Sequence, residues 1–337
     1  MNPEIWAWGG FLAFVLLVLA IDLGLLNRKA HVVTIREALR FTAVLAFLAL
    51  CFNGVVYALY EHQLLGLGTE VDKLDGLVND GRLAALKFFT GYMIELSLSA
   101  DNVFVIALIF QYLRVPPQYQ HRVLFWGILG ALVMRGAMIL VGASLIARYH
   151  WILYLFGIFL VYTAIKMLTM RHDEETPGDG FVVRQVRKAF PITPTYHEQH
   201  FAIKEQGKWI LTPLAVALVL VETTDLIFAV DSIPAIFAIT TDPFLVFTSN
   251  VFAILGLRSL YFALAGAIEK FHYLKVSLAA ILGLVGIKML VADLLKDYLG
   301  PNFNFWLLGM VVMILVAGVV ASWMRTRRVE RERAASE

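Results

Sequence analysis

Glu95-Leu96-Ser97-Leu98-Ser99-Ala100-Asp101-Asn102 lies inside an apolar run, residues 84–113, long enough to cross a bilayer as helix. A second stretch, Glu222-Thr223-Thr224-Asp225-Leu226-Ile227-Phe228-Ala229-Val230-Asp231-Ser232, sits in the same way inside residues 210–239. An ionisable side chain at membrane depth costs at least about 2.5–3.5 kcal/mol on insertion scales. Five carboxylates there demand a protein interior, a wet cavity or a ligand, so they are functional-site candidates from the outset.

Outward from these two runs, apolar stretches of similar length recur. They fall at 5–26, 37–60, 84–113, 122–147, 151–170, 210–239, 245–267, 275–296 and 303–324. The chain is 60% hydrophobic and only 16% charged over 337 residues. These features exclude a soluble globular class and predict an all-α polytopic membrane protein with about nine transmembrane helices. No basic segment precedes the first run, where only Glu4 is charged, so it reads as a retained first helix and not as a cleaved signal. Most Lys and Arg fall in 27–36, 114–121, 171–209, 268–275 and the tail after Met324. The positive-inside bias then places the N-terminus outside and the C-terminus in the cytoplasm. The acidic 61–87 connection reads as a solvated outer turn. Residues 171–209 read as a polar linker in which His197-Glu198-Gln199-His200 is solvated and not metal-ligating. Cys51, the single cysteine, excludes an internal disulfide and CxxC chemistry.

Spans three to five and six to eight resemble one another. Ile165-Lys166-Met167-Leu168 recurs as Ile287-Lys288-Met289-Leu290, and each second span carries an arginine, Arg135 or Arg258. Aligning Asp101-Asn102 with Asp231-Ser232 sets Glu95 against Asp225 at the same six-residue spacing. Each copy has three spans and the linker starts and ends on one side, so the second copy must run opposite to the first. The expected organisation is two N-terminal helices and an outer loop in 1–83, a first three-helix repeat in 84–170, a cytoplasmic linker in 171–209, an inverted repeat in 210–296, and a last helix with a basic tail in 297–337. Inverted repeats of this kind characterise secondary transporters, whose sites lie near the midplane where the copies meet.

Six residues along a straight helix rise about 9 Å and turn the two groups onto different faces. Glu95 and Asp101 therefore share one ion only if the helix unwinds locally, and spans three and six are expected to be broken. Pro234 lacks an N–H and frees the Val230 carbonyl; Ser97, Ser99, Asn102, Thr223, Thr224 and Ser232 offer partners for exposed backbone. Glu222 and Asp225, three apart, already share a face. The donors on offer are oxygens, because no histidine lies within a span. Oxygen sites suit Mg²⁺, Ca²⁺ or Mn²⁺ better than Zn²⁺ or Cu⁺. Arg135 and Arg258 read as partners that hold some of the carboxylates charged and oriented, and Lys166 and Lys288 carry no assigned role. The expected partners are the lipid bilayer, a divalent cation and H⁺ in exchange, with no prosthetic group, catalytic residue or nucleic acid.

The motifs Ser99-Ala100-Asp101-Asn102-Val103-Phe104, residues 222–238, Thr240-Thr241-Asp242-Pro243-Phe244 and residues 249–258 carry a resemblance that covers nearly the whole chain. The chain resembles the TerC family of bacterial integral membrane proteins, closest to its alkali-induced, Alx-type members. The resemblance implies a lysine-exporter-like fold in the inner membrane and a role in manganese or other divalent-cation efflux, besides tellurite resistance. It carries the family's acidic motif onto Glu95, Asp101, Asn102, Glu222, Asp225 and Asp231 as the metal-holding set, with Ser99, Ser232, Arg135 and Arg258 in support. Ala100 stands where many relatives have valine, a change that does not touch the chemistry. Alx-type members are also described as membrane-bound redox modulators, which one cysteine and no haem-ligating pair do not support. The leading expectation is Mn²⁺ export by alternating access. The alternative is a redox or metal-homeostasis modulator that does not itself transport. Export of an amino acid, its carboxylate held by the mid-span arginines, is a further reading. An intramembrane aspartyl protease built on Asp101 and Asp231 is disfavoured, because Ser99-Ala100 and Val230 precede them where the GxGD pattern is needed.

Overall fold

In hydrocarbon every backbone N–H and C=O must be satisfied within its own segment, which forces apolar runs of this length into helix. The computed structural model describes residues 3–21, 34–149, 151–169, 181–205, 207–264, 273–299 and 303–334. Its helices are α1 (Glu4–Ile21), α2 (Ile35–Glu61), α3 (Gly81–Tyr112), α4 (Pro117–Arg148), α5 (Ile152–Thr169), α6 (Phe181–Ala189), α7 (Pro213–Phe237), α8 (Pro243–Leu264), α9 (Leu274–Leu299) and α10 (Phe303–Ala334). Among the described residues eight helices are long and apolar enough to cross a membrane, and α9 carries a shorter apolar stretch, Val276–Val291. The chain is thus an all-α polytopic membrane protein in its spanning part. Local chemistry marks the helix starts. Asp80 caps α3 by accepting from the Leu83 N–H at 2.7 Å. Helices α4, α7 and α8 begin on prolines, where the missing N–H costs nothing.

Packing is concentrated between α3–α5 and α7–α9. α3 packs on α8 and α7, α4 on α7 and α8, and α5 on α9, while α2 lies against α3 and α8 and α10 against α9. The α5–α9 contact is backbone-close: a Cβ on Gly286 would stand 3.0 Å from the Gly157 carbonyl, and one on Gly157 would stand 2.9 Å from Leu290 Cγ. Small residues bring membrane helices together in this way. An aromatic cluster fastens the N-terminal helices to the core, with Phe52 5.2 Å from Phe11 and 5.0 Å from Phe252 between ring centroids.

The connections group by end. The 62–80 segment meets the α7–α8 connection through Asp72, and Lys73 Nζ donates to the Ala147 carbonyl at the end of α4 (2.8 Å). At the other end Tyr196 donates to the Leu113 carbonyl at 2.7 Å, and Arg122 donates to Gln199.

One expectation for the connections is corrected. The acidic 61–87 segment is not simply a solvated turn, since Asp72 is buried. Lys87 in α3 reaches Asp72 (2.8 Å), Asp75 (2.8 Å) and Asn79 (2.7 Å). Asp72 also accepts from the Thr240 and Thr241 hydroxyls at 2.5 and 2.7 Å. Burial pushes the Asp72 carboxyl up, but the Lys87 ammonium and the two threonines more than offset this and hold it at about 2. The linker is also structured over its described part. It forms α6, packed on α7, and an antiparallel hairpin of β1 (Ala202–Glu205) with β2 (Lys208–Leu211). The hairpin turns through Gly207, whose φ of +82° suits glycine.

Candidate functional site

Spans three and six are unbroken: α3 and α7 each run as one helix. Two of the hydroxyls expected to satisfy unwound backbone instead bond back into their own helix. Ser97 donates to the Met93 carbonyl at 2.6 Å and Thr223 to the Val219 carbonyl at 2.7 Å. Pro234 is absorbed within the last turn of α7, where Ala238 N–H returns to its carbonyl at 3.0 Å. A single site that gathers residues six apart along one helix is therefore corrected: the acids are distributed over several helix faces.

The centre is assembled between helices. Arg135 of α4 is buried and reaches carboxylates from both sides. Its Nε and Nη2 donate to Asp225 at 3.1 and 2.9 Å, a bidentate fork. Its Nη1 pairs with Glu95 of α3 and donates to Ser232 Oγ at 3.1 Å. Glu95 is 0% exposed, and its Oε2 is buried with no partner in the structure. Asn102, about two turns further along the same face of α3, likewise has a buried Oδ1 without a partner. A small cavity of about 10 Å³ lies against Asp225, lined by Asn102, Gly127, Thr224 and Arg258 among others. This is space for roughly one water-sized guest.

The remaining predicted residues go elsewhere. Glu222 lies against the α4 backbone at Gly130, where a Cβ would overlap its carboxylate, and its Oε2 is buried without a partner. Asp231 faces α5, accepting from Thr163 Oγ1 at 3.3 Å. Arg258 contacts His121 Nε2 at 2.9 Å and stacks over the Phe41 ring at 5.5 Å. Ser99 is buried. The side chain of Asp101 lies outside the described residues. Among the described residues no group of three or more His, Cys, Asp or Glu side chains converges as a metal site. Sequence reasoning brought Glu95, Arg135, Asp225 and Ser232 together. It missed Gly130, Thr163 and Lys288, which donates to the Ala238 carbonyl at 2.6 Å. Gly127 and Gly130, three apart in a span that faces the second acidic stretch, were the available signal for a face that makes room for side chains.

A multi-pass helical bundle with charged side chains paired in its interior defines an integral membrane protein. The TerC family profile, described as an integral membrane protein family, matches residues 81–330, and the chain belongs to that family. Membership makes it a membrane protein and not a catalytic enzyme. A membrane protein of Myxococcus xanthus, itself uncharacterised, is 48% identical over 326 residues, covering 97% of this chain and 94% of its own. An Escherichia coli K12 protein with the provisional name membrane-bound redox modulator Alx is 45% identical over 322 residues, 95% of each chain. A Rickettsia felis membrane protein is 36% identical over 324 residues, 96% of this chain and 99% of its own. No solved structure matches the chain.

Proposed function

We propose that the protein exports divalent cations across the inner membrane, with Mn²⁺ the expected cargo, through the Glu95–Arg135–Asp225 centre. The observation that carries this reading is that one buried arginine holds carboxylates from two different helices. Two carboxylates on one guanidinium, with Glu95 Oε2 left without a partner, offer oxygens suited to a cation. Asn102, Glu222, Asp231 and Asp101 are proposed as oxygen donors along the path, with Ser99, Ser232 and Arg258 in support. H⁺ is proposed as the counter-ion.

The helix pairing supports an inverted repeat. Taking α3–α5 and α7–α9 as the two copies, first pairs with second in both directions, first with first, second with second and third with third. That pattern is what a two-fold axis between copies would produce. The small residues agree: Gly286 falls on Ala164, and Gly157 on Ala279, when the Ile-Lys-Met-Leu tetrapeptides are superposed. The positive-inside bias supports an outer N-terminus and a cytoplasmic C-terminus.

Reconstitution with a Mn²⁺-quenched dye tests the proposal. Glu95→Gln and Asp225→Asn should each slow Mn²⁺ entry into the liposomes at least tenfold, and wild-type rates in both would overturn it.

A second reading is favoured by the Alx relatives, whose provisional name is redox modulation. The comparisons weigh toward it over transport. On this reading the chain tunes metal or redox balance through other membrane proteins and moves no ion itself. Cys51, the single cysteine, is exposed on α2 and offers no dithiol partner, so a redox role would be indirect. Liposomes containing the purified protein alone separate the readings, since only the exporter moves Mn²⁺ without a partner.

A further inference from the structure

Arg135 does more than complete a salt bridge. Its fork and its Nη1 together engage Asp225, Glu95 and Ser232, so it occupies the space between the two carboxylates. It nevertheless leaves a local oxygen unused. Glu95 Oε2 is buried with no partner, while the small cavity on the other side of Asp225, walled by Asn102, Arg258 and apolar side chains, does not include Glu95. One guanidinium supplies a single positive charge and only N–H donors, whereas the two carboxylates and the Ser232 hydroxyl it touches are oxygen ligands of the kind a divalent cation takes. Guanidinium and cation would claim the same oxygens and repel each other at contact distance.

We infer that Arg135 is a tethered counter-cation, seated between Glu95 and Asp225 where the cargo cation binds, so that cation binding and the Arg135 bridge exclude one another. This rests on the proposed transport reading and adds the element that would set release. Arginine stays charged at any pH a cell reaches, so the bridge is broken only by displacement and not by loss of a proton. Without cargo the bridge spares the bundle two bare buried carboxylates, a state that is strongly destabilising. With cargo the displaced guanidinium remains tethered nearby and favours the ion's departure. Arg135 is on this account a positioning residue that tunes affinity and release.

The test uses the full chain in detergent with Mn²⁺ as the probe, read by calorimetric titration and by thermal unfolding. Arg135→Gln should bind Mn²⁺ at least tenfold more tightly than wild type. It should also melt lower without Mn²⁺ and recover by a larger upward shift when Mn²⁺ is added. Arg135→Lys, which keeps a charge but lacks the fork, should fall between the two and serves if the glutamine variant does not fold. Unchanged or weaker Mn²⁺ binding in the variants overturns the inference, because a residue that merely builds the site would lower affinity. The transport reading fails separately. Tighter binding in Arg135→Gln with no Mn²⁺ flux through the wild type would overturn export and keep the displacement, while flux with unchanged affinity would do the reverse. If neither wild type nor variant binds Mn²⁺, both ideas are overturned.

Discussion

At the scale of single residues, the charges inside this protein are stabilised by geometry that differs from site to site. Glu95 and Asp225 share Arg135, whereas Glu222 is accommodated because residue 130 has no side chain. Gly130→Ala would place a methyl group on the Glu222 carboxylate. The obstacle is the far end of a flexible side chain and not backbone, so the bundle should fold with little loss while Glu222 is driven out of place. Mn²⁺ flux in liposomes should drop roughly tenfold, with thermal unfolding within a few degrees of wild type. Unaltered flux would remove Glu222 from the path. Asp72 behaves differently because its pairing is structural. Its folded carboxyl titrates at about 2 against an ordinary 3.8. A depressed carboxylate contributes stability that is complete above the unfolded value and disappears as pH falls through the folded one. Wild type should therefore lose on the order of 2 kcal/mol between about pH 4 and pH 2. Asp72→Asn should melt lower at neutral pH and show a flatter decline across that window, as followed by intrinsic fluorescence in detergent.

At the scale of elements, α5 and α9 depend on the absence of side chains where they touch. Gly157→Leu would force a bulky group against Leu290 and the Gly286 carbonyl, contacts already at 2.9 and 3.1 Å for a bare Cβ. Over-packing of this kind costs about 1–3 kcal/mol, and a lowered midpoint in thermal unfolding, set beside an unaffected lipid-facing control such as Val133→Ala, checks it. These elements also show what the sequence could disclose. Long apolar runs disclosed the spans because hydropathy and length are local properties, and the paired acids and arginines disclosed Glu95, Arg135, Asp225 and Ser232 because charge at membrane depth needs a partner. Helix continuity was misread. The same serines and threonines that could cap an unwound segment also bond to a carbonyl one turn back, and composition alone does not choose between them. Asp72 was misread as solvated because its partners, Thr240 and Thr241, are 168 and 169 residues away in the chain. Asp231 accepts from Thr163 of α5, a neighbour that spacing along the chain does not show.

At the scale of the whole molecule, the contacts at the two ends constrain which connections share a side. The 62–80 segment is bonded to the α7–α8 connection and to the end of α4. The hairpin-bearing segment before α7 is bonded to the α3–α4 connection. If each spanning helix crosses once, those two sets lie on opposite faces, and the proposed orientation, drawn from the excess of Lys and Arg, puts the second set in the cytoplasm. Glu70 and Glu198 are exposed reporters, one in each set. On a Cys51→Ala background, which removes the single native thiol, a cysteine at position 70 should react with a membrane-impermeant maleimide on intact cells. A cysteine at position 198 should react only after the membrane is permeabilised. The reverse pattern would invert the protein and turn the proposed export into uptake. Labelling of both from outside would mean that one helix between them fails to cross, which would remove the antiparallel relation of the two three-helix units on which the proposed pathway depends.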